Sequence, residues 1–402
     1  MWYSLTTALC VLLCQPGVAA EQTPLLRHGN GGRNVSVALF TELEELARIV
    51  DISYCVGMTS LGITKPFKCL SRCTDFPDFE LVTTWNTGPL LSDSCGYIAL
   101  DHGKRRIILS FRGTYSIANT VVDLSTVPQK YAPYPGEGDD DQTSSSDDVS
   151  KEMPKGINRP TKRNDTGEPK CDNCTVHSGF HSSWLNTRTV ILDDLQEYIL
   201  LYPQYKLELV GHSLGGAVAA LAALDFKARG WDPRVTTFGE PRVGNRALVK
   251  YIDDRFTLTQ TLPDDDTAIK YRRVTHVDDP VPLLPLSEWG YAMHAGEIYI
   301  SKPSLSPDLA DLQRCEGDND QDCIAAQDST ASDDPTARKR DLIASVKDEI
   351  YDVTNEPWGI PSRYKLWELF FAHRDYFWRL GLCIPGGDPL GGGSKYDPKE
   401  EL

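Results

Sequence analysis

Leu39, Leu43, Leu46, Ala47 and Val50 recur at helical spacing with polar residues between them, and predict a helix over residues 39–54 with one apolar face. Apolar runs of strand length follow at 79–84, 96–100, 107–111, 207–210, 235–238, 270–275 and 298–300. Helical stretches lie between several of them, notably 184–202 and 216–228. Strands that alternate with helices predict an α/β fold whose sheet is parallel at its centre and flanked by helices. A last helical pattern is read over 364–379, near the C-terminal edge of the fold.

Other stretches have almost nothing to bury. Residues 133–169 contain Asp139-Asp140-Asp141-Gln142-Thr143-Ser144-Ser145-Ser146-Asp147-Asp148, and 318–340 are acidic and then basic. Both are expected as flexible surface insertions. Residues 386–402 are rich in Gly and Pro and expected to be disordered. With no internal repeat, residues 21–385 read as one domain interrupted by insertions. Residues 1–20 have a short apolar centre followed by Val18-Ala19-Ala20, which reads as a cleaved secretory signal although no Lys or Arg precedes it. No other stretch approaches a membrane span.

An apolar content of 40% over 402 residues suffices for a real core. The formal charge of −16 argues against nucleic acid and against anionic membrane surfaces. Eleven cysteines less Cys10 and Cys14 leave nine, enough in a secreted chain for up to four disulfides and one spare thiol. Cys171 and Cys174 have no second pair at zinc-like spacing, so no metal is expected. Asn34, Asn164 and Asn173 open glycosylation sequons.

The segment Leu207-Glu208-Leu209-Val210-Gly211-His212-Ser213-Leu214-Gly215-Gly216-Ala217 carries the chemistry. Strand character runs into Gly-x-Ser-x-Gly, and small apolar residues of helical character follow. A serine on such a strand–turn–helix corner presents its hydroxyl from a strained turn. A hydroxyl becomes a nucleophile when an imidazole takes its proton, and an acid must orient that imidazole. This fold orders them Ser, acid, His. Only His276, His294 and His373 lie downstream, with Asp278 and Asp279 as acids near a strand end. An acid there precedes its histidine, which excludes His276. The amide of Leu214, at a helix N-terminus, suits a developing oxyanion.

Ser110-Phe111-Arg112-Gly113-Thr114, Val176-His177-Ser178-Gly179-Phe180, the elbow, Phe238-Gly239-Glu240-Pro241-Arg242-Val243-Gly244-Asn245, Asp279-Pro280-Val281-Pro282, His294-Ala295-Gly296-Glu297 and His373-Arg374-Asp375-Tyr376-Phe377 occur in one order over roughly 35–383. In these segments the chain resembles the fungal class 3 lipase family, which also contains feruloyl esterases. The resemblance implies an α/β-hydrolase fold with a lid helix. It implies Ser213 as nucleophile, Asp279 as acid with Asp278 as fallback, and His373 as base; His294 is read as a packed residue opening a strand. It places the oxyanion hole at the amides of Thr114 and Leu214, though Thr114 could also cap a nearby helix. It makes residues 115–127 the lid, with Ile117, Val121 and Leu124 as its apolar stripe and Thr120 where several relatives carry tryptophan.

The same resemblance pairs Cys55 with Cys383 and Cys315 with Cys323, while Cys171 with Cys174 is similar to a pair in feruloyl esterases. Cys69, Cys73 and Cys95 then hold one bridge and one spare thiol, and the sequence does not choose. The expected activity is that of a secreted, monomeric serine ester hydrolase, without metal or organic cofactor, acting on a lipid ester at an oil–water interface. Triacylglycerol is the leading substrate class. A feruloyl esterase, a phospholipase or an inactive binding module are the alternatives.

Overall fold

The computed structural model describes residues 33–57, 62–88, 93–114, 128–134, 170–259, 265–328 and 372–384. The proposed lid with Ile117, Val121 and Leu124, and the sequon at Asn164, lie outside the described residues. In chain order the main elements are α1 (Val37–Ile52), β1 (Phe79–Asn86), β2 (Cys95–Asp101), β3 (Arg106–Phe111), β4 (Pro128–Lys130), β5 (Thr175–His177) and α2 (Ser178–Leu201). They continue with β6 (Lys206–His212), α3 (Leu214–Ala228), β7 (Arg234–Phe238), β8 (Gly244–Asn245), α4 (Arg246–Phe256), β9 (Tyr271–His276), β10 (Tyr291–Ala292), β11 (Glu297–Ile300) and β12 (Leu312–Arg314).

Eight strands form the main sheet in the order β1-β2-β3-β6-β7-β9-β11-β12. β3, β6, β7, β9 and β11 pair in parallel, and antiparallel partners close both ends. Parallel strands need both faces covered, and here neighbouring side chains of one strand enter different cores. Ile107, Leu109 and Phe111 of β3 join the core packed by α2, α3 and α4, whereas Ile108 joins the one packed by α1 and the 376–383 segment. Helix α1 begins at Ser36, whose side chain accepts from the Leu39 amide, and Leu39, Leu43, Leu46, Ala47 and Val50 are all fully buried. Helix α3 is buried along almost its whole length, which explains its run of alanines: only small side chains let it lie so close to the sheet.

A second sheet of four short strands, β10-β8-β5-β4, has no counterpart in the sequence reading. Its strands lie in the connections that leave the C-terminal ends of β3, β7 and β9. Helix α4 was also missed. Asn245 caps it by accepting from the Leu248 amide, and the same carboxamide oxygen accepts from Thr175 while its nitrogen donates to the Asn173 carbonyl.

Two further expectations need correction. The described part of the 364–379 pattern is a series of turns with a bridge between Asp375 and Arg379, not a helix. Tyr376, Phe377 and Trp378 are all buried in succession, so no single apolar face exists for a helix to present. Residues 318–328 of the second proposed insertion end in a short 3-10 helix over Ile324–Gln327, with Ile324 and Ala325 buried. Disulfides join Cys55 to Cys383, Cys171 to Cys174 and Cys315 to Cys323. The open choice falls to Cys69–Cys73, leaving Cys95 as a buried thiol.

Candidate active site

Strand β6 ends at His212 and α3 begins at Leu214, so one residue makes the corner. That residue, Ser213, has φ 58° and ψ −131°. A non-glycine residue held there stores about 1–3 kcal/mol of strain, which the surrounding packing must offset. The Ser213 amide donates to the Phe238 carbonyl of β7 at 2.9 Å, and its own carbonyl accepts from the Gly216 amide at 2.8 Å. The turn is thus pinned from the neighbouring strand and from the helix. Leu214 supplies the first amide of α3, at the positive end of the helix dipole.

Asp279 lies just beyond β9. Its two carboxylate oxygens sit 3.1 and 3.0 Å from Nδ1 of His373. One of them also accepts from the Tyr376 hydroxyl at 2.5 Å, and the other from the Val281 amide at 2.9 Å. Burial alone would push this carboxyl up; the charge of His373 and the bonds from His373, Tyr376 and Val281 outweigh it and hold Asp279 below its ordinary range. Nε2 of His373 is buried and has no hydrogen-bond partner among the described residues. The carboxylate–imidazole pair is therefore formed, and no bond joins His373 Nε2 to Ser213. His373 nonetheless lies beside the elbow: its ring stacks on His212 with centroids 4.8 Å apart, and its carbonyl accepts from His212 Nε2 at 2.8 Å.

Residues 108–289 match the family model described as Lipase (class 3). A secreted mono- and diacylglycerol lipase 2 of Gibberella zeae is 50% identical over 392 residues, covering 94% of this chain and 90% of that protein. Lipase A of Sodiomyces alcalophilus is 48% identical over 98% of this chain and 92% of its own. The chain belongs to the class 3 lipase family. Among solved structures, Lip2 lipase of Yarrowia lipolytica superposes with a TM-score of 0.64 at 29% identity, over 87% of this chain and 97% of that one. As a class 3 lipase with an α/β-hydrolase fold, the chain is a carboxylic ester hydrolase.

Around this lipase's elbow lie groups that the sequence did not announce. Tyr54, just past α1, donates to Nδ1 of His212 at 2.5 Å. Since His212 Nε2 must donate to the His373 carbonyl, Nδ1 is left to accept, and the ring is neutral. Burial, reinforced by the charge of His373, pushes the His212 pKa down to about 3. Gly239 has φ +60°, and a Cβ there would lie 2.7–2.9 Å from the Tyr376 hydroxyl, His373 Cε1 and Asp279 Oδ2. Only glycine lets the β7 backbone approach the acid–imidazole pair so closely. A Cβ at Gly113 would likewise lie 2.8 Å from Ser213 Cβ, which sets the β3 loop against the serine. Thr114 follows, its hydroxyl buried and without a partner among the described residues. Arg112 holds that loop by donating to the carbonyls of Gly113 and Val56.

The remaining candidates fall elsewhere. Asp278 is half-buried at φ 68°, and the Nδ1 of His373 is bonded to Asp279 instead. His294 is packed, as expected, with Nε2 3.0 Å from Glu240 and Nδ1 2.7 Å from the Ala295 carbonyl. Among the described residues one group, Glu297 with Cys315 and Cys323, has the spacing to hold a metal, but the two sulfurs are bonded to each other. Of the motif residues, Tyr376 was visible as the tyrosine three places after His373. Gly239 also stood in a motif segment, after Phe238, whereas Tyr54 carried no signal that distinguished it.

Proposed function

We propose that this chain is a secreted lipase that hydrolyses acylglycerols through an acyl-enzyme, with Ser213 as nucleophile, His373 as general base and acid, and Asp279 as the group that orients and charges the imidazole. The observation that carries this reading is the buried Asp279–His373 pair set beside a serine in the left-handed region. The relatives named secreted mono- and diacylglycerol lipases and lipase support the substrate class and the secretory route.

In the first step Ser213 Oγ adds to the acyl carbon while its proton passes to His373 Nε2. The carbonyl electron pair moves onto oxygen, and the amides of Thr114 and Leu214 hold that charge. Losing one such donor raises the barrier by about 3–4 kcal/mol. Collapse of the intermediate expels the glycerol oxygen, which takes the proton from Nε2. Water then repeats the sequence on the acyl-enzyme, releases the fatty acid and restores the Ser213 hydroxyl. Ser213 and His373 Nε2 are not bonded in this structure, and a contact of this kind is one that tightens into a bond when substrate is bound.

Purified wild type and Ser213→Ala, assayed on mono-, di- and trioleoylglycerol emulsions and treated with an organophosphonate, test this reading. Hydrolysis and labelling by wild type, both absent from the variant, are expected; equal turnover by the two proteins would refute it. The ratio among the three glycerides ranks triacylglycerol against the partial glycerides. The Cys171–Cys174 bridge favours one other reading, a feruloyl esterase. Faster turnover of methyl ferulate than of an olive-oil emulsion would select it.

A further inference from the structure

Resting on the lipase reading above, we infer that Trp289 is a fixed anchor for an uncharged lipid surface, separate from the catalytic groups. The six exposed large hydrophobic side chains among the described residues are Val37, Leu70, Val190, Leu200, Leu201 and Trp289. Val37 opens α1, and Leu200 and Leu201 end α2 just before β6, placing the last two at the opposite edge of the sheet from Ser213. Trp289 lies instead in the connection that leaves the C-terminal end of β9, whereas Val190 sits within α2. That connection begins just beyond β9, carries Asp279, and returns through β10 to the small sheet.

Residues 287–290 are all exposed, so they form a protruding tip. Yet the tip is held. Ser287–Trp289 is a 3-10 turn in which the Trp289 amide donates to Leu286 at 3.1 Å and the Gly290 amide to Ser287 at 2.9 Å. Below it Leu286 and Tyr291 are buried, and the Arg242 guanidinium donates to the carbonyls of Leu283 and Pro285. An indole 39% exposed on a braced support loses little conformational entropy when it enters an interface. Its apolar face with one N–H suits the boundary between water and acyl chains. Charge selects which surface: Glu288 precedes Trp289 in the same exposed turn and the chain carries a formal −16, so anionic lipid is repelled and a neutral acylglycerol surface is favoured.

The test measures partition and turnover separately. Binding to droplets of a neutral triacylglycerol is read in the Ser213→Ala background, where hydrolysis does not disturb the surface, with and without Trp289→Ala or Trp289→Phe. Trp289→Ala is expected to lower the partition coefficient about tenfold, and Trp289→Phe to restore most of it. Anionic lipid added to the droplets is expected to weaken binding. With Ser213 intact, Trp289→Ala is expected to keep kcat/KM on a dissolved short-chain ester within about twofold, while its rate on emulsion falls with the partition. Unchanged partition in Trp289→Ala, or a parallel loss on the dissolved ester, would overturn the anchor. Absence of any ester hydrolysis by wild type would instead strike the lipase reading.

Discussion

The Tyr54 hydroxyl and Nδ1 of His212 are joined at 2.5 Å across 158 residues of sequence. Through the other ring nitrogen, the bond continues to the His373 carbonyl at 2.8 Å, so a residue of α1's exit, the elbow and the loop bearing the proposed base form one line. Tyr54→Phe leaves a buried acceptor unsatisfied, which costs about 1–3 kcal/mol. A lowered Tm with kcat reduced several-fold and KM little changed is the expected result. Wild-type kcat and Tm would show that the line positions nothing.

Tyr376→Phe removes one donor from Asp279 while leaving the ring in place. The carboxyl is held low by His373, Tyr376 and Val281 against the upward push of burial, so loss of one donor moves it up. Protonation of Asp279 then begins at a higher pH. The acid-side fall of kcat/KM is expected to shift to higher pH, with about a tenfold lower rate near neutrality. Because a depressed carboxyl stabilises the fold above its unfolded value and loses that contribution as pH falls, acid stability should narrow too. Superimposable pH–rate profiles for the two proteins would contradict the assignment.

Asp51 gives the opposite sign. It is fully buried, accepting from the Gly381 amide at 2.8 Å and the Ser71 hydroxyl at 3.1 Å. Burial pushes it from 3.8 up to about 6, only partly countered by those two bonds. A raised folded value means a contribution that is complete below pH 3.8 and lost as pH rises through 6. Asp51→Asn keeps the shape and removes the titration. Relative to wild type it should gain stability across that window, by about 3 kcal/mol at most. Denaturant melts at pH 4 and pH 7 measure the gain, and an equal difference at both values would refute it.

Ser213→Gly is expected to abolish hydrolysis and at the same time raise Tm by about 2–4 °C, because glycine relieves the strain at φ 58°. A Tm at or below that of wild type would mean that the serine's conformation carries no stored energy. Gly239→Ala tests the reverse: its Cβ would meet the Asp279–His373–Tyr376 group, so both activity and Tm should fall.

Much of this was written in the chain order. Apolar runs and helical periodicity placed α1, all seven strands read from the sequence, α2 and α3, since each depends on how a local segment meets a core. The elbow was legible because strand, Gly-x-Ser-x-Gly and helix are contiguous. The proposal of Asp279 and His373 as acid and base came from motif order together with the family resemblance, and the bond from His373 Nδ1 to Asp279 supports Asp279 over Asp278.

What only the folded chain decided are relationships between distant residues. The small sheet escaped because its strands are two or three residues long and owe their form to neighbours such as Asn245, whereas α4 carries Leu248, Ile252 and Phe256 at helical spacing behind the Asn245 cap, a signal the strand-and-helix reading passed over. The described part of the 364–379 pattern, 372–379, reads as helical in sequence, yet successive aromatics are buried there. Cys69 met Cys73 rather than Cys95, a matter of backbone path. Tyr54, Gly239 and Tyr376 became part of the site because three loops converge there, and hydrogen-bond partners separated by about a hundred residues or more leave no mark in local pattern. Composition and spacing select the elements; the packing of those elements selects which polar groups must satisfy one another in the absence of water.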